Sequence, residues 1–275
     1  MADRAMVPPL MQMASQPLRW ALLTELAASD RRVRDLAAAV DEPQNLVSYH
    51  LRLLRSAGLV DARRSSFDGR DTYYHLNLTR CAGAFSQAAA ALHPALASTR
   101  TTTPAVGSPA QSVLFLCTGN SARSPMAEAL LRHRGHGRIR VASAGSHPKP
   151  SLHPNALRIM REEYGLDLSG RGPQSLSAVG RRRFDYVITL CDKIREFPRD
   201  HGWAVTMHWS LPDPSTAADT DRASYLEFRR VATELNIRIG FLLPVLARHA
   251  VARKDEAANA ISSTDVTTQL SADQV

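Results

Sequence analysis

The chain has 275 residues, 44% of them hydrophobic, and a net charge of +8 at neutral pH, so it is long enough for two domains with buried cores. Its three cysteines are widely spaced, which argues against a secreted disulfide scaffold and indicates a reducing, cytoplasmic location. Its apolar runs fall short of the ~20 residues of a membrane span, so no membrane partner is expected. The positive charge, almost all of it arginine, permits a nucleic-acid partner.

The sequence pattern of residues 17–57 predicts three short helices. Apolar residues recur near helical spacing over Pro17–Ala28 and Val33–Val40, and a proline-containing break precedes a third helix over Gln44–Ala57. Gly58 follows, which is the residue type favoured where a helix stops in the left-handed conformation. Two helices joined by a short turn are typical of a helix-turn-helix, whose second helix enters the major groove of DNA.

A hairpin is predicted after these helices. Its strands span Leu59–Arg63 and Thr72–Leu76 around an Asp-Gly turn, and such a hairpin forms the wing of a winged helix. The residues expected to contact DNA are, on the recognition helix, Asn45, Ser48, Tyr49, His50 and Arg52, and on the wing Arg63, Arg64 and Arg70.

The run VSYHLRLLRSAGLV followed by RDTYYHL resembles the winged-helix repressors of the ArsR type. The resemblance implies a DNA-binding domain over residues 1–92, operator DNA as its partner, and a homodimer whose interface includes the alanine-rich helix Ala82–Leu92. No cysteine precedes Cys81, so arsenite sensing by thiols inside this domain is not expected. Cys81 has no Cys or His cluster beside it and is expected to be a bystander.

Two segments have the composition of irregular chain. Residues 93–111 are rich in Pro, Thr, Ser and Gly, which predicts a flexible linker. Such a tether transmits little strain, so weak coupling between the two domains is expected. Residues 251–275 are polar and are predicted to form a disordered tail.

A strand, a cysteine, a loop and a helix follow the linker in the order that oxyanion chemistry requires. Val113–Leu116 is a continuous apolar run, typical of a strand buried on both faces, and Cys117 stands at its exit. The small residues that lead to Arg123 let backbone N–H groups converge on a tetrahedral anion. Ser124 as N-cap and Pro125 at the first helical position predict a helix whose positive end faces that anion.

This arrangement predicts that Cys117 is a nucleophile and that Arg123 grips two oxygens of the substrate at once. The residues expected to line the anion site are Thr118, Gly119, Asn120, Ser121, Ala122 and Ser124. The C-x5-R-S run resembles the low-molecular-weight tyrosine phosphatase superfamily, which includes thiol-coupled arsenate reductases. The resemblance implies a second domain over residues 112–250 and an enzymatic activity of one of these two kinds.

The predicted fold class is α/β, an N-terminal winged helix-turn-helix followed by a doubly wound parallel sheet of the phosphatase I-like kind. Three strands are predicted beyond Val113–Leu116, alternating with helices, and a long helix closes the domain. The strands span Arg138–Ala144, Phe184–Leu190 and Ala204–Trp209, and the helices span Ser151–Tyr164 and Asp219–Arg248.

Asp213-Pro214 resembles the acid loop of the superfamily, which implies that Asp213 protonates the leaving oxygen. The segments TLCD and HWSLPDPS look like the reductase branch.

Ala122 stands where many relatives carry a second cysteine, so Cys117 and Cys191 alone cannot form a relay of three cysteines. Cys191 is a candidate resolving thiol. The expected reductant is a small thiol, mycothiol or glutathione, or a thioredoxin-type protein, with no tightly bound cofactor and no metal site.

The leading interpretation is a cytoplasmic fusion of a DNA-binding transcriptional regulator and a cysteine-dependent arsenate reductase. The substrate is then arsenate. Two alternatives stay open on the sequence: a low-molecular-weight protein tyrosine phosphatase that acts on a phosphate ester and is fused to a regulator, and a catalytically silent repressor that senses oxyanions.

Overall fold

The computed structural model describes residues 8–67, 69–93, 96, 111–180, 182–196, 207–216 and 220–272, with side chains as far as residue 247. The predicted linker over residues 93–111 lies almost wholly outside these residues, as do residues 204–206 of the last predicted strand. None of the helices in the described part of the chain is long and apolar enough to cross a membrane.

The N-terminal unit is built on helices that pack around a leucine-rich core. Its helices are α1 (Pro9–Ala14), α2 (Pro17–Ala28), α3 (Val33–Val40) and α4 (Gln44–Ser56). Leu22, Leu36 and Leu51 are fully buried between them. Gly58 follows α4 with φ of 69°, the left-handed conformation expected of a residue that ends a helix. The predicted three-helix arrangement is confirmed.

A three-stranded antiparallel sheet completes this unit. β1 (Arg31–Arg32), β2 (Val60–Arg64) and β3 (Thr72–Leu76) lie in the order β1-β3-β2, so β2 and β3 form the predicted wing hairpin. β1 is two residues long and gives no alternation that a sequence pattern could reveal. α5 (Leu78–Leu92) begins earlier than predicted. The reason is that the Asn77 side chain accepts a hydrogen bond from the Arg80 N–H and caps the helix.

The second unit is a parallel sheet of four strands covered by helices on both faces. Its strands β4 (Ser112–Cys117), β5 (Arg140–Gly145), β6 (Tyr186–Thr189) and β7 (Met207–His208) lie in the order β5-β4-β6-β7. Its first four helices are α6 (Arg123–Arg134), α7 (Pro154–Tyr164), α8 (Leu176–Val179) and α9 (Asp192–Glu196). β4 pairs with β5 on one side and β6 on the other, and all six of its residues are buried. The predicted α/β class is confirmed.

The last helix, α10 (Asp221–Ala272), packs against α6 and α7. It differs from the prediction at its end, because it continues through residues 251–272, where the sequence predicts a disordered tail. That segment contains no glycine or proline and is rich in alanine, so its local propensity supports a helix although its polarity predicts none. Residues 273–275 lie outside the described part of the chain.

The two units are in direct contact along the edge of the parallel sheet. The Asp30 N–H donates to the carbonyl of His208 on β7 (2.9 Å), and the His208 N–H donates to Ser29 Oγ (2.8 Å). Asp30 Oδ1 pairs with Arg238 of α10 at 2.8 Å, and 6% or less of either side chain is exposed. The composition of the linker predicts nothing of this interface, because the contacts join residues that are far apart in the chain.

Candidate active site

Cys117 is the last residue of β4, and its sulfur faces the loop that joins β4 to α6. Its sulfur accepts a hydrogen bond from the Asn120 N–H (3.2 Å) and lies 2.8 Å from Ser124 Oγ. The positive end of α6 faces the same point, because this helix begins at Arg123 directly after the loop. The strand, the loop and the helix therefore converge on the sulfur.

The prediction that Ser124 is the N-cap of this helix is wrong. Ala122 occupies the cap position and makes no side-chain cap. Ser124 lies in the first turn with its hydroxyl turned back into the loop, where it accepts from Asn120 Nδ2 (2.8 Å) and contacts the Cys117 sulfur. The hydroxyl therefore contacts the Cys117 sulfur instead of capping the helix.

Asn120 holds the loop in shape from beneath. It has φ of 43° and is 1% exposed, and its amide reaches three partners. Nδ2 donates to Ser124 Oγ and to Ser143 Oγ (2.9 Å), and Oδ1 accepts from the Gln174 N–H (2.6 Å). Ser143 in turn donates to Glu128. Sequence reasoning missed Ser143, Gln174 and Glu128, because no motif marks residues that meet only through tertiary contacts.

The end of β5 leaves no space for a side chain beside this loop. A Cβ atom on Gly145 would lie 2.7 Å from the Thr118 carbonyl oxygen and 2.9 Å from the Asn120 nitrogen. Both distances are shorter than any tolerated contact, so the loop can approach β5 only because residue 145 is glycine.

Arg123 is buried at the start of α6, and a second loop, which contains Leu211 and Asp213, binds its guanidinium. Nη1 donates to the Leu211 carbonyl (3.1 Å), and Nη2 pairs with Asp213 Oδ2 (2.8 Å). The structure therefore brings together the three residues that the sequence predicts to be catalytic, Cys117, Arg123 and Asp213. In this state the cation is shared with the predicted acid.

Asp213 is ionised in this arrangement. Burial alone would raise its pKa, but the charge of Arg123 and hydrogen bonds from the hydroxyl and N–H of Ser215 hold the pKa below its usual value. The Asp213–Arg123 pair therefore persists at neutral pH. Asp213 can act as an acid only after it has taken up a proton.

Cys191 lies against the same loop. Its sulfur is 3.4 Å from Thr118 Oγ1 and the residue is 2% exposed. Burial raises the pKa of Cys191 and Arg123 opposes the change, while a negative charge on Cys117 would raise it further. A second thiol is therefore held beside the first, in its protonated form.

Most of the residues predicted to contact DNA lie on the surface of the N-terminal unit. On α4 the side chains of Asn45, Tyr49 and Arg52 are exposed and Ser48 is partly exposed, and on the wing Arg64 and Arg70 are exposed.

Two residues of the predicted DNA-binding set are placed differently by the structure. His50 is 8% exposed and shares the inner face of α4 with Val47, Leu51 and Leu54, because helical spacing puts these positions on one side. Arg63 points away from the outer side of the wing and donates to Ser210 Oγ of the second unit. Neither side chain is available to DNA in this arrangement.

No group of His, Cys, Asp or Glu side chains that could hold a metal ion occurs among the described residues.

The chain belongs to the low molecular weight phosphotyrosine protein phosphatase family, whose family model matches residues 112–255, just over half of the chain. Residues 16–62 match the model of bacterial regulatory proteins of the arsR family. Both resemblances are confirmed. The protein therefore joins an ArsR-type helix-turn-helix to an enzyme domain of the arsenate reductase or low-molecular-weight phosphatase kind.

Its similar relatives are named for arsenate reduction. An arsenate reductase of Shouchella clausii is 35% identical over 128 residues, which are 46% of this chain and 91% of the relative. A glutaredoxin arsenate reductase of Synechocystis sp. is 32% identical over 136 residues, 48% of this chain and 96% of the relative. A solved arsenate reductase in a phosphate-binding state is 30% identical, with a TM-score of 0.42 over 49% of this chain and 97% of the other.

We expect Gly145→Ala to weaken the binding of inorganic phosphate to the full chain about tenfold or more, or ~1.4 kcal/mol, because the added methyl group must displace the Thr118–Asn120 backbone. Isothermal titration calorimetry measures the affinity. Gly170→Ala is the matched control, since a Cβ atom there meets nothing within 4 Å. Unchanged phosphate affinity in Gly145→Ala would show that the loop does not form the anion site.

Proposed function

We propose that this protein is a cysteine-dependent arsenate reductase that draws on a thiol reductant and is fused to a DNA-binding transcriptional regulator. The observation that carries the proposal is the meeting of two loops: Arg123, at the end of the Cys117 loop, pairs with Asp213 of the second loop, and Cys191 contacts Thr118 of the first. A nucleophilic sulfur, a cation and an acid serve phosphoester hydrolysis and arsenate reduction alike. Relatives that are 32–35% identical over this domain are named arsenate reductases, which favours the reductase.

Arsenate binds with its oxygens on Arg123 and on the N–H groups of loop residues 118–122. The Cys117 thiolate attacks arsenic, an As–S bond forms, and one arsenate oxygen leaves as water after it accepts a proton from Asp213. The bound oxyanion itself favours protonation of Asp213, because it places negative charge beside the carboxylate and competes for the single charge of Arg123. Expulsion of the oxygen without this proton would be far slower.

The second step supplies two electrons. A thiolate attacks the Cys117 sulfur, the S–As bond breaks, and its electron pair passes to arsenic, which leaves as arsenite. Cys117 is then part of a disulfide. A further thiol opens that disulfide and restores Cys117, so that two thiols become one disulfide for each arsenate reduced. Because Cys191 is buried and burial raises its pKa, a small thiol such as mycothiol or glutathione is the favoured first attacker, with a thioredoxin-type protein as the other source.

The N-terminal unit supports operator binding through its exposed helix α4 and the outer side of its wing. An operator with two half-sites requires a dimer. Apolar side chains that are exposed on two neighbouring helices, α1 and α5, support one. Met11 of α1 and Phe85 and Leu92 of α5 are 37%, 42% and 79% exposed. A second copy that covered these residues would remove them from water.

Cys117→Ser is expected to lower arsenate reduction by on the order of 10³-fold or more, because it removes the nucleophile. The full chain is assayed with arsenate and each thiol system, beside a phosphatase assay. Cys81→Ser is the matched control and should keep its activity, since Cys81 lies in α5 away from the loop. Cys191→Ser should retain most activity with a small thiol. Near-normal rates in Cys117→Ser would contradict the proposal, and phosphatase activity without arsenate reduction would select the phosphatase alternative.

Asp213→Asn should slow the rate of leaving-group expulsion by roughly 10²–10⁴-fold, the usual contribution of a general acid. Asp221→Asn gives the same change of charge at an exposed position and should have no effect. Rapid-quench measurement of the first turnover isolates the chemical step. If Asp213→Asn had the same rate as the parent, Asp213 would not be the general acid and would have only a structural role in its loop.

The full chain should bind an operator as a dimer, with an affinity that falls steeply as salt rises, because arginines displace counterions from phosphates. Arg52→Ala should weaken binding by about 1–3 kcal/mol if it reads a base. Arg161→Ala, an equal loss of charge on the exposed face of α7, is the control. Fluorescence anisotropy with labelled DNA over a salt series measures both. Equal losses in the two variants would indicate only non-specific attraction.

A further inference from the structure

Ser210 joins the loop that carries Asp213 to the N-terminal unit. The Ser210 N–H donates to Asp30 Oδ2 at 2.8 Å, and its hydroxyl accepts a hydrogen bond from Arg63. The same hydroxyl donates to Asp192 Oδ1 (2.6 Å), and Ser210 is 2% exposed. Every polar group of the Ser210 side chain and its N–H is therefore engaged, two of the three contacts being with the DNA-binding unit.

The residues that follow Ser210 hold the catalytic cation. Leu211 is the next residue, and its carbonyl accepts from Arg123 Nη1, while Asp213 pairs with Arg123 Nη2. A segment of four residues thus has one end fixed by Asp30 and Arg63 and the other end fixed on Arg123. A shift at either end must be transmitted to the other, because so short a segment has little slack.

The N-terminal end of this connection is rigidly held. Asp30 also pairs with Arg238 inside the interface. Beside it, Asp192 Oδ2 accepts from the N–H (2.7 Å) and hydroxyl (2.9 Å) of Ser66 at the tip of the wing. Buried polar groups of this kind lose much stability if one partner is withdrawn. The docked arrangement therefore favours one position of Ser210.

An oxyanion competes with this arrangement at Arg123. A bidentate grip on the anion uses two of the five N–H groups of the guanidinium, and its one positive charge is already shared with the ionised Asp213. The anion and the Asp213 carboxylate also repel each other. Anion binding is therefore easier when the Asp213 loop moves away from Arg123, a movement that the contacts of Ser210 with Asp30 and Arg63 resist.

We propose that the docked winged helix restrains the oxyanion site: the contacts of Asp30 and Arg63 with Ser210 hold the Asp213 loop on Arg123, and oxyanion binding loosens them. The inference rests on the proposed oxyanion site and adds a route by which its occupancy reaches the DNA-binding unit. Because such coupling is reciprocal, a change that undocks the winged helix raises oxyanion affinity by the same factor. The weak coupling that the linker composition predicts is replaced by coupling through the interface.

The first test measures the affinity of inorganic phosphate for the full chain by calorimetry. Arg63→Met and Asp30→Asn should each bind phosphate about fivefold more tightly than the parent, the lower end of typical coupling. These substitutions change the net charge in opposite directions, so a general electrostatic effect would move the two affinities apart. Arg64→Met and Glu25→Gln are the matched controls, since they change the same charges away from the interface, and should bind as the parent does.

Neither variant leaves a buried charge without a partner. Arg238 keeps its pair with Glu234 (2.6 Å) when Asp30 becomes Asn, and Asp192 keeps its hydrogen bonds from Ser66 and Ser210 when Arg63 becomes Met. Phosphate affinity equal to or weaker than that of the parent in both variants would overturn the proposal.

A second test uses the parent chain alone. The amides of Asp30, Ser66 and Ser210 all donate across the interface, so hydrogen exchange at these three positions reports docking directly. Saturating phosphate should speed their exchange several-fold and leave the Ser112 amide, which donates to Asp185 within the second unit, unchanged. Equal or slower exchange at the three interface amides would overturn the proposal.

Neither measurement depends on turnover. A chain that shows the affinity and exchange changes but reduces no arsenate would contradict the proposed enzyme and support the restraint. A failure of phosphate to bind to the parent and to both variants would overturn the oxyanion site itself, and the restraint with it.

Discussion

The site of the second unit depends on the interactions of one buried group, the guanidinium of Arg123. It stands at the first position of α6, beside the Cys117 loop, and binds the Leu211 carbonyl and the Asp213 carboxylate. A buried positive charge needs partners, and in this state the partners come from the protein itself. The two loops of the site are consequently closed on each other, with Asp213 of one loop paired to Arg123 at the end of the other.

The Cys117 loop is prepared for an anion by a network beneath it. The Asn120 amide ties the loop to Ser143 and Gln174, and Gly145 permits the close approach of β5. A loop whose shape is already fixed, and whose Asn120 N–H already donates to the Cys117 sulfur, needs little reorganisation when a charged substrate arrives. This preorganisation is equally suited to arsenate and to a phosphate ester.

The N-terminal unit also completes the second unit. Ser29 and Asp30 cover β7, the edge strand of the parallel sheet, whose unpaired N–H and C=O groups would otherwise be open to another chain. Asp192, directly after Cys191, is completed by Ser66 of the wing. Burial would raise the pKa of Asp192, but the hydrogen bonds it accepts and the charge of Arg63 hold its pKa well below the usual value. This carboxylate stays charged inside the interface because both units donate hydrogen bonds to it.

Local sequence determined most elements of this protein and the residues of its candidate site. Helical spacing predicted the helix Val33–Val40, and the apolar run Val113–Leu116 predicted a buried strand. The order of Cys117, Arg123 and Pro125 predicted an anion-binding loop. These features depend on neighbours a few residues apart, so a pattern can carry them. Tertiary structure alone decided that Ser124 contacts the sulfur instead of capping α6, that His50 faces the core, and that Arg63 binds Ser210 instead of the outer side of the wing. It also decided that Asp30 and Arg238 meet, 208 positions apart, in a buried ion pair. No local pattern predicts such a contact, because the attraction that offsets the cost of burying both charges exists only when folding brings the two residues together.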